Sequence, residues 1–320
     1  MTIIYYFCHF CKSPRHKKEN ICKKIGRGIE LFSKFGYTEI KESKNDVKGL
    51  SIFKERREIV ATYSEIMREA CMAAGKILMD GFGHAAVYHK GVRDLVTDSD
   101  TAAQKAVRRI LAQAFPTHAF VGEEASGDDE IYPIPPEGTP YRWILDPLDG
   151  TTNYAHGSPH FCVSLALEVQ GELFVSGIYA PYYDEFYSAI AGHGAWLNGK
   201  EIHVSQTESV VESLLGFGFP PNVTQESPDF QAFLRILGEA QAMRRTGSLA
   251  LNLAYAACGR FDGVMNFSAH SWDVAAGVLL IKEAGGIVTA PDGSPFNVDR
   301  AWLIGAGTKK LHDGLLNLMN

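Results

Sequence analysis

Apolar residues recur at helical spacing from Glu58 onward. Between Glu58 and Leu78 they return every three or four positions, and Gly81-Phe82-Gly83 follows as a helix stop. A second periodic run begins near residue 100, where either Asp98 or Asp100 can cap the helix. The pattern therefore predicts two amphipathic helices at the start of the regular part of the chain.

Runs with β character dominate the middle of the chain. We predict strands near 117–121, 143–145, 161–169, 173–179, 185–190, 194–198, 213–219 and 261–267. Asn198-Gly199 is a turn signal, and a stretch rich in Asp, Glu, Gly and Pro at 126–140 predicts a surface loop. Further helices are predicted near 229–239, after Gly247-Ser248, and from Ser271 to Glu283. These elements together predict a mixed α/β protein.

Charge divides the chain into two parts. Residues 1–57 carry 14 Lys and Arg against 6 Asp and Glu, a net charge of +8, whereas residues 58–320 carry 17 against 31, a net charge of −14. We therefore predict a basic extension with little structure at 1–57 and a folded domain at 58–320. Cys8, Cys11, His16 and Cys22 keep open the alternative of a small zinc module, although a second C-x-x-C pair is missing.

We recognise no targeting signal in the sequence. The apolar run from Ile3 to Phe10 is too short to span a membrane and lacks the features of a signal peptide. The 6 cysteines in 320 residues give no sign of a disulfide framework, which favours a reducing compartment. We therefore expect a cytoplasmic protein without a membrane segment.

The richest chemistry lies in the stretch from Trp143 to Tyr154. Three large apolar residues predict a buried strand, and Asp146-Pro147-Leu148-Asp149 follows with two carboxylates three residues apart. Carboxylate and carbonyl oxygens at a strand end suit a hard cation such as Mg²⁺. The next segment, Gly150-Thr151-Thr152, offers backbone N–H groups of the kind that hold a phosphate.

Acidic residues also stand at the ends of two other predicted elements. Glu123 and Glu124 follow a strand, and Asp273 opens a helix. Taken singly, a solvated loop explains the two glutamates and an N-cap explains Asp273. Together with the two aspartates of the central stretch, Glu123 and Asp273 complete a set of four carboxylates that suits Mg²⁺ or a pair of such ions.

Several other chemistries are disfavoured by the sequence. It has no H-E-x-x-H and no Ser/His/Asp arrangement, and its 11 scattered histidines argue against zinc in the main domain. The phosphate loop of nucleotide kinases and the glycine fingerprint of dehydrogenases are also missing. The acidic main domain gives no sign of a polyanion-binding face, so nucleic acid is not an expected partner and small substrates are favoured.

Four motifs, in order along the chain, resemble those of the inositol monophosphatase family. They are Asp94-Leu95-Val96-Thr97, Gly122-Glu123-Glu124, Asp146-Pro147-Leu148-Asp149-Gly150-Thr151-Thr152-Asn153, and Trp272-Asp273-Val274-Ala275-Ala276-Gly277 with the later Glu283-Ala284-Gly285-Gly286. The resemblance covers residues 58–320. It implies a layered αβαβα sandwich of the inositol monophosphatase and fructose-1,6-bisphosphatase type, Mg²⁺-dependent hydrolysis of a phosphate monoester and, by analogy, a homodimer.

The resemblance also implies roles for particular residues. Glu123, Asp146 and the Leu148 carbonyl would bind one Mg²⁺, and Asp146, Asp149 and Asp273 would bind another, with two or three ions in all. Glu123 and Thr151 would orient the attacking water, with Asp100 behind Thr151. The substrate would lie beside Lys90, Asp149, Gly150, Thr151, Gly247, Ser248, Leu249, Asn266 and Asp273.

The identity of the substrate stays open at this stage. Asn266 stands where members that hydrolyse inositol phosphates usually have a glutamate, so the charged acceptor for two vicinal hydroxyls is missing. Inositol 1-phosphate or a related sugar or polyol phosphate is expected; fructose 1,6-bisphosphate, histidinol phosphate and 3'-phosphoadenosine 5'-phosphate are the alternatives. A different class also stays open, namely a non-catalytic regulator that binds nucleic acid through the basic extension.

Overall fold

The computed structural model describes the backbone of residues 47–124 and 138–319, and the side chains from residue 60 onward within those ranges. The alternative zinc module at Cys8, Cys11, His16 and Cys22 lies outside the described residues, as does most of the predicted loop at 126–140. The domain boundary at 57/58 stays a prediction.

Within the described ranges the α-helices are α1 Val47–Gly81, α2 Asp98–Ala114, α3 Thr151–Ala155, α4 Pro228–Leu237, α5 Leu249–Ala257, α6 Ser271–Glu283 and α7 Lys309–Met319. The strands are β1 Val87–His89, β2 Leu95–Thr97, β3 Ala119–Gly122, β4 Tyr141–Asp149, β5 Cys162–Val169, β6 Glu172–Ala180, β7 Glu185–Ile190, β8 Gly194–Leu197, β9 Lys200–Glu201, β10 Leu214–Phe217, β11 Ala242–Arg244, β12 Gly263–Asn266, β13 Ile287–Thr289 and β14 Leu303–Ala306. A short 3₁₀ helix spans Val210–Glu212.

The first helix is longer than its apolar period predicts. It begins at Val47 instead of Glu58, because the Lys, Glu and Arg residues at 54–57 are good helix formers even where no apolar stripe continues. The chain divides after Glu65, inside α1, into two compact units, and the second unit, Ile66–Asn320, holds every residue discussed below.

Two sheets carry the second unit. The larger has the order β3-β4-β5-β6-β7-β8-β9, with β3 parallel to β4 and every other pair antiparallel. The smaller has the order β11-β10-β12-β14-β13, with β10 parallel to both of its neighbours. A separate antiparallel pair joins β1 to β2. The predicted hairpin of 161–169 and 173–179 is the β5–β6 pair.

The helices fill three layers around these sheets. The pair α5 and α6 lies between the two sheets and shares one apolar core with both. Gly277 of α6 meets Leu253 of α5 so closely that any side chain at Gly277 would overlap it, as the small residues of this helix predict. On the outer faces, α2 covers the larger sheet while α4 and α7 cover the smaller. Together with α1 residues from 66 onward, this is the expected αβαβα sandwich.

The acidic residues at the starts of two helices are not the N-caps of those helices. Thr97, not Asp98 or Asp100, is the N-cap of α2; its Oγ1 accepts from Ser99 N at 3.2 Å, and Asp100 in the first turn accepts from Thr97 N at 2.8 Å. At α6, Asp273 likewise stands in the first turn, where its Oδ2 accepts from the backbone N–H of the N-cap His270 at 2.7 Å. An acid at the third helical position reaches back to the free N–H of the cap, which resembles capping in the sequence alone.

Beneath β4, a buried histidine makes stability depend on pH. His118 stacks on Tyr141 with ring centroids 4.4 Å apart, and its Nδ1 accepts a hydrogen bond from Trp143 Nε1 at 3.1 Å. Burial lowers the pKa of His118 to about 3, because the charged ring would lose its hydration. The unfolded chain binds this proton below about pH 6.5, whereas the folded protein does not bind it until about pH 3.

We expect the wild type to lose stability relative to His118→Asn as the pH falls below 6.5. The neutral amide can replace the acceptor but binds no proton, so the difference should shrink by about 2 kcal/mol between pH 7.5 and pH 5. Urea unfolding of both proteins at the two pH values measures it. Equal pH dependence of the two proteins would contradict a neutral buried imidazole.

Among the helices of residues 47–124 and 138–319, none is long and apolar enough to cross a lipid bilayer.

Candidate metal centre

The strand β4 delivers two aspartates to one place because its pairing with β5 slips between them. Asp146 and Asp149, three residues apart, pair with β5 residues that are only two apart, so β4 bulges. Pro147 lies in this interval and has no N–H to give to a neighbouring strand. The Leu148 N–H instead donates to Asp146 Oδ1 at 3.0 Å, which turns the strand end back on itself.

Four carboxyl groups from three separate elements act on one another at this strand end. Glu123 follows β3, Asp146 and Asp149 end β4, and Asp273 lies in the first turn of α6. Burial raises the pKa of Asp146 well above its usual range, and the negative charges of the other three groups raise it further. The charges of the four acidic residues predicted to form one set therefore act at one place, and their role as metal ligands stays a prediction.

The pKa values of the other three carboxyl groups are also raised. Burial, followed by the charge of Asp149, raises the pKa of Asp273 to about 8. Burial raises the pKa of Glu123, although Lys90 opposes the shift. For Asp149 burial raises the pKa only to about 6, because hydrogen bonds to its charged form lower it. A site that disfavours carboxylate charge in this way has less positive charge than its four carboxyl groups need.

The loop at Ser248 and Leu249 is hydrogen-bonded to Asp149. Ser248 Oγ donates to Asp149 Oδ2 at 2.7 Å, and the N–H groups of Leu249 and Ala250 donate to the two Asp149 oxygens at 3.3 and 2.6 Å. Ser248 is also the N-cap of α5, so the start of this helix is directed at the carboxylate. The Ser248 and Leu249 positions predicted by the resemblance thus lie at the acidic site.

The predicted water-orienting group lies next to the bulge. Thr151 Oγ1 lies 2.9 Å from the Leu148 carbonyl oxygen and 3.2 Å from Asp100 Oδ1, and it can donate to either. Asp100 is fully buried, and its Oδ2 accepts from the hydroxyl of Thr97 at 2.5 Å. The predicted contact between Asp100 and Thr151 is therefore present.

Lys90, in the turn between β1 and β2, supplies a positive charge to the cluster. Its ammonium lies 3.1 Å from Glu123 Oε1 and 2.6 Å from Glu124 Oε1. Desolvation acts to lower the pKa of Lys90, but the two glutamates outweigh it and raise the pKa. Lys90 thus neutralises part of the charge of two acids.

Gly150 and Gly247 allow two loops to approach the start of α3. Gly150 has φ 96°, and a Cβ there would lie 2.7 Å from the His160 carbonyl oxygen. Gly247 has φ 89° and packs against the side-chain amide of Asn153. That amide donates to the carbonyls of His160 and Thr246 at 2.7 and 2.9 Å, so it joins both loops.

Asn266 is among the buried residues of the predicted substrate set. Its side chain is 3% exposed, its Oδ1 accepts from Ser268 N at 2.9 Å, and its Nδ2 faces the backbone of Gly218. A bond from Ser268 fixes the orientation of the amide. A role for Asn266 in substrate contact stays a prediction.

The donor chemistry of the cluster fits a hard divalent cation. The Glu123 and Asp146 carboxyl groups act on each other's pKa, and a cation between two such groups would offset their repulsion. In the described part of the chain, no three His, Cys, Asp or Glu side chains already surround a single point as metal ligands. Asp149, for example, directs both oxygens to the amides of α5, so binding would draw on its remaining lone pairs.

Sequence reasoning missed the amide side chains that hold these loops. Asn153 stands in a quoted motif but received no role, and Gln104 on α2, which bonds the backbone of Glu124, was not singled out. The amphipathic pattern of α2 gives no signal for Gln104, because a polar residue on a helix is usually solvated.

Comparison with known proteins gives concordant results. The family model described as "Inositol monophosphatase family" matches residues 60–320. The chain is 39% identical over 266 residues to inositol monophosphatase 2 of Solanum lycopersicum, which covers 81% of this chain and 98% of the relative. It is 37% identical over 265 residues to the fructose-1,6-bisphosphatase/inositol-1-monophosphatase of Aquifex aeolicus, over 82% and 96% of the two chains. The crystal structure of the extragenic suppressor protein suhB of Bartonella henselae is similar with a TM-score of 0.74 and 34% identity, over 81% and 98% of the chains.

Proposed function

The chain belongs to the inositol monophosphatase family, and from that premise we propose that it hydrolyses an inositol phosphate or a related sugar or polyol phosphate with Mg²⁺ held by the carboxylate cluster. Membership makes the protein a phosphoric monoester hydrolase of a metal-dependent family. The Mg²⁺ ligands, the substrate and the steps below are the proposal.

The carboxylate cluster would hold the cations. Glu123, Asp146 and the Leu148 carbonyl would hold one Mg²⁺, and Asp146 with Asp149 and Asp273 a second, with two or three ions in all. The observation that carries this assignment is that four carboxyl groups from three separate elements act on one another, with those of Asp146 and Asp149 buried. Bound Mg²⁺ supplies positive charge that offsets this repulsion, neutralises phosphate oxygens and makes a water more acidic.

Thr151 and Glu123 would orient the attacking water. When the Thr151 hydroxyl donates its hydrogen bond to Asp100, the lone pairs of Oγ1 are free to accept a hydrogen bond from that water. Glu123 provides a second acceptor, and Lys90 favours the charged form of that carboxylate. Two acceptors fix the direction of the water's lone pair towards phosphorus.

The phosphate would be held by backbone N–H groups at the start of α3. The first N–H groups of a helix have no partner within the helix, and Gly150 and Thr151 stand at this point. The left-handed conformation of Gly150 brings this corner against the loop at His160. Lys90, beside Glu123, would lie near the phosphate.

The leaving group would face the loop of Gly247, Ser248 and Leu249. Two relatives are named as inositol phosphatases, and one of those names adds fructose 1,6-bisphosphate. These names support an inositol or sugar phosphate. Asn266 in place of a carboxylate leaves fructose 1,6-bisphosphate, histidinol phosphate and 3'-phosphoadenosine 5'-phosphate as alternatives.

Kinetics with a panel of phosphate monoesters tests this proposal. Phosphate release is measured with Mg²⁺ and with EDTA for inositol 1-phosphate and the three alternatives. We expect turnover of inositol 1-phosphate or fructose 1,6-bisphosphate that falls to background with EDTA and returns when Mg²⁺ is restored. Turnover that persists in EDTA would contradict the metal assignment, and no turnover of any compound would contradict the substrate class.

Other sequence expectations stay predictions. Cys71, Cys162 and Cys258 carry free thiols, which supports the expected cytoplasmic location. The homodimer is an analogy with the family. The alternative of a nucleic-acid-binding regulator rests on the basic extension, most of which lies outside the described residues.

A further inference from the structure

Two buried polar side chains lie one helical turn apart on α2. Asp100 is 0% exposed and Gln104 is 3% exposed, although α2 is otherwise amphipathic and covers the larger sheet with apolar residues. Residues four apart share one face of a helix. Burying polar groups costs free energy unless they are bonded, so the partners of this pair are informative.

Gln104 bonds the backbone of Glu124 with both ends of its amide. Its Nε2 donates to the Glu124 carbonyl oxygen at 2.5 Å, and its Oε1 accepts from Glu124 N at 3.1 Å. The same amide lies against Gly122, where any side chain would overlap Oε1. The backbone on both sides of Glu123 is therefore held by one side chain.

This contact acts on the carboxyl group of Glu123. Glu123 N donates to the Leu145 carbonyl at 3.2 Å, and this bond holds the segment after β3 to β4. The bonds from Gln104 hold the same segment to α2. With its backbone fixed from two sides, the Glu123 carboxyl stays beside Lys90 and Asp146. Lys90 in turn forms an ion pair with Glu124, whose backbone is hydrogen-bonded to Gln104.

The other member of the pair holds the opposite wall of the site. Asp100 Oδ1 accepts from Thr151 Oγ1, so one face of α2 contacts Thr151 and the two residues that flank Glu123. We propose that Gln104 is a positioning residue that, together with Asp100, sets the distance between Glu123 and Thr151 and thereby the affinity for Mg²⁺. This inference rests on the proposed function for the identity of the cation.

The substitution Gln104→Met tests the inference. Methionine fills a similar volume on a helix but makes neither hydrogen bond to Glu124. Groups that orient a metal ligand typically change metal affinity by 10- to 100-fold when removed, so we expect half-saturation to need about tenfold more Mg²⁺. The readout is the Mg²⁺-dependent rise of the melting temperature of the full chain, followed from EDTA to saturating Mg²⁺, with kinetics as a second measurement.

The matched control is Leu111→Ala on the same helix. Leu111 is buried in the apolar core and makes no hydrogen bond to a site residue. Its substitution should therefore lower the melting temperature and leave Mg²⁺ half-saturation unchanged. If Gln104→Met does not fold, Gln104→Asn keeps the amide but is one methylene short, and the same tenfold weakening is expected.

The outcomes separate the two proposals. A wild type without any Mg²⁺-dependent stabilisation or turnover overturns the proposed function and this inference with it. A wild type that binds Mg²⁺ as expected, beside a Gln104 variant with half-saturation within twofold of it, overturns the positioning role alone. Equal weakening in Leu111→Ala also overturns it, because the effect would then follow general stability.

Discussion

Asp146→Asn is expected to abolish hydrolysis while leaving the metal-free fold at least as stable as the wild type. The side chain is proposed to contact both cations, so its loss should lower kcat/KM by 10³-fold or more, or about 4 kcal/mol. Without metal, the same substitution should leave the stability of the fold unchanged or raise it. The pKa of Asp146 lies above that of the unfolded chain, so its charge destabilises the folded state near neutral pH.

The asparagine removes that charge and keeps an oxygen for the Leu148 N–H. We therefore expect an equal or higher melting temperature than the wild type in EDTA, and a much smaller rise with Mg²⁺. Calorimetry in both solutions and phosphate-release kinetics measure these effects. Asp313→Asn, on the exposed surface of α7, is the control and should change neither. A variant that is less stable in EDTA would show that Asp146 has a structural role.

Thr151→Val should lower kcat by about 10²- to 10³-fold with little change in Mg²⁺ dependence. Valine has nearly the same shape but lacks the hydroxyl that contacts Asp100 and the Leu148 carbonyl. A positioned proton acceptor typically contributes 10²- to 10⁴-fold, which sets the expected range. Steady-state kinetics and the Mg²⁺-dependent melting temperature distinguish this loss from that of a metal ligand.

Two further substitutions serve as controls for Thr151→Val. Thr152→Val, on the exposed side of the same short helix, makes the same chemical change away from the site and should be active. Asp100→Asn should reproduce part of the loss, and the double variant with Thr151→Val should lose less than the two single losses combined, because both remove one hydrogen bond. Fully additive losses would mean that Asp100 and Thr151 act independently.

Three of the four acidic residues, Glu123, Asp146 and Asp149, could be singled out because they stand beside Gly or Pro at strand ends. Asp146 and Asp149 follow an apolar strand at once, so their position and burial follow from the local sequence. The hydrogen bonds between separate segments could not be predicted in this way. Nothing near Ser248 in the sequence indicates that its hydroxyl reaches Asp149.

Short elements were also hard to predict. The strands β13 and β14 have three and four residues, and β14 lies between partners that are far apart in the chain. Their pairing depends on tertiary contacts more than on local propensity. The cap of α2 was misassigned for a related reason, since Thr97 is the last residue of β2 as well as the N-cap.

The bonds from α5 to Asp149 also affect how the protein reaches its folded state. Ser248 and Asp149 are 99 residues apart, so this corner closes only after a long loop has lost its freedom. A cation that requires the closed corner binds the native state but not a transition state in which the corner is still open. A cation bound there should therefore slow unfolding far more than it speeds folding, and the loaded enzyme would gain its persistence in the cell chiefly from a longer lifetime of the native state.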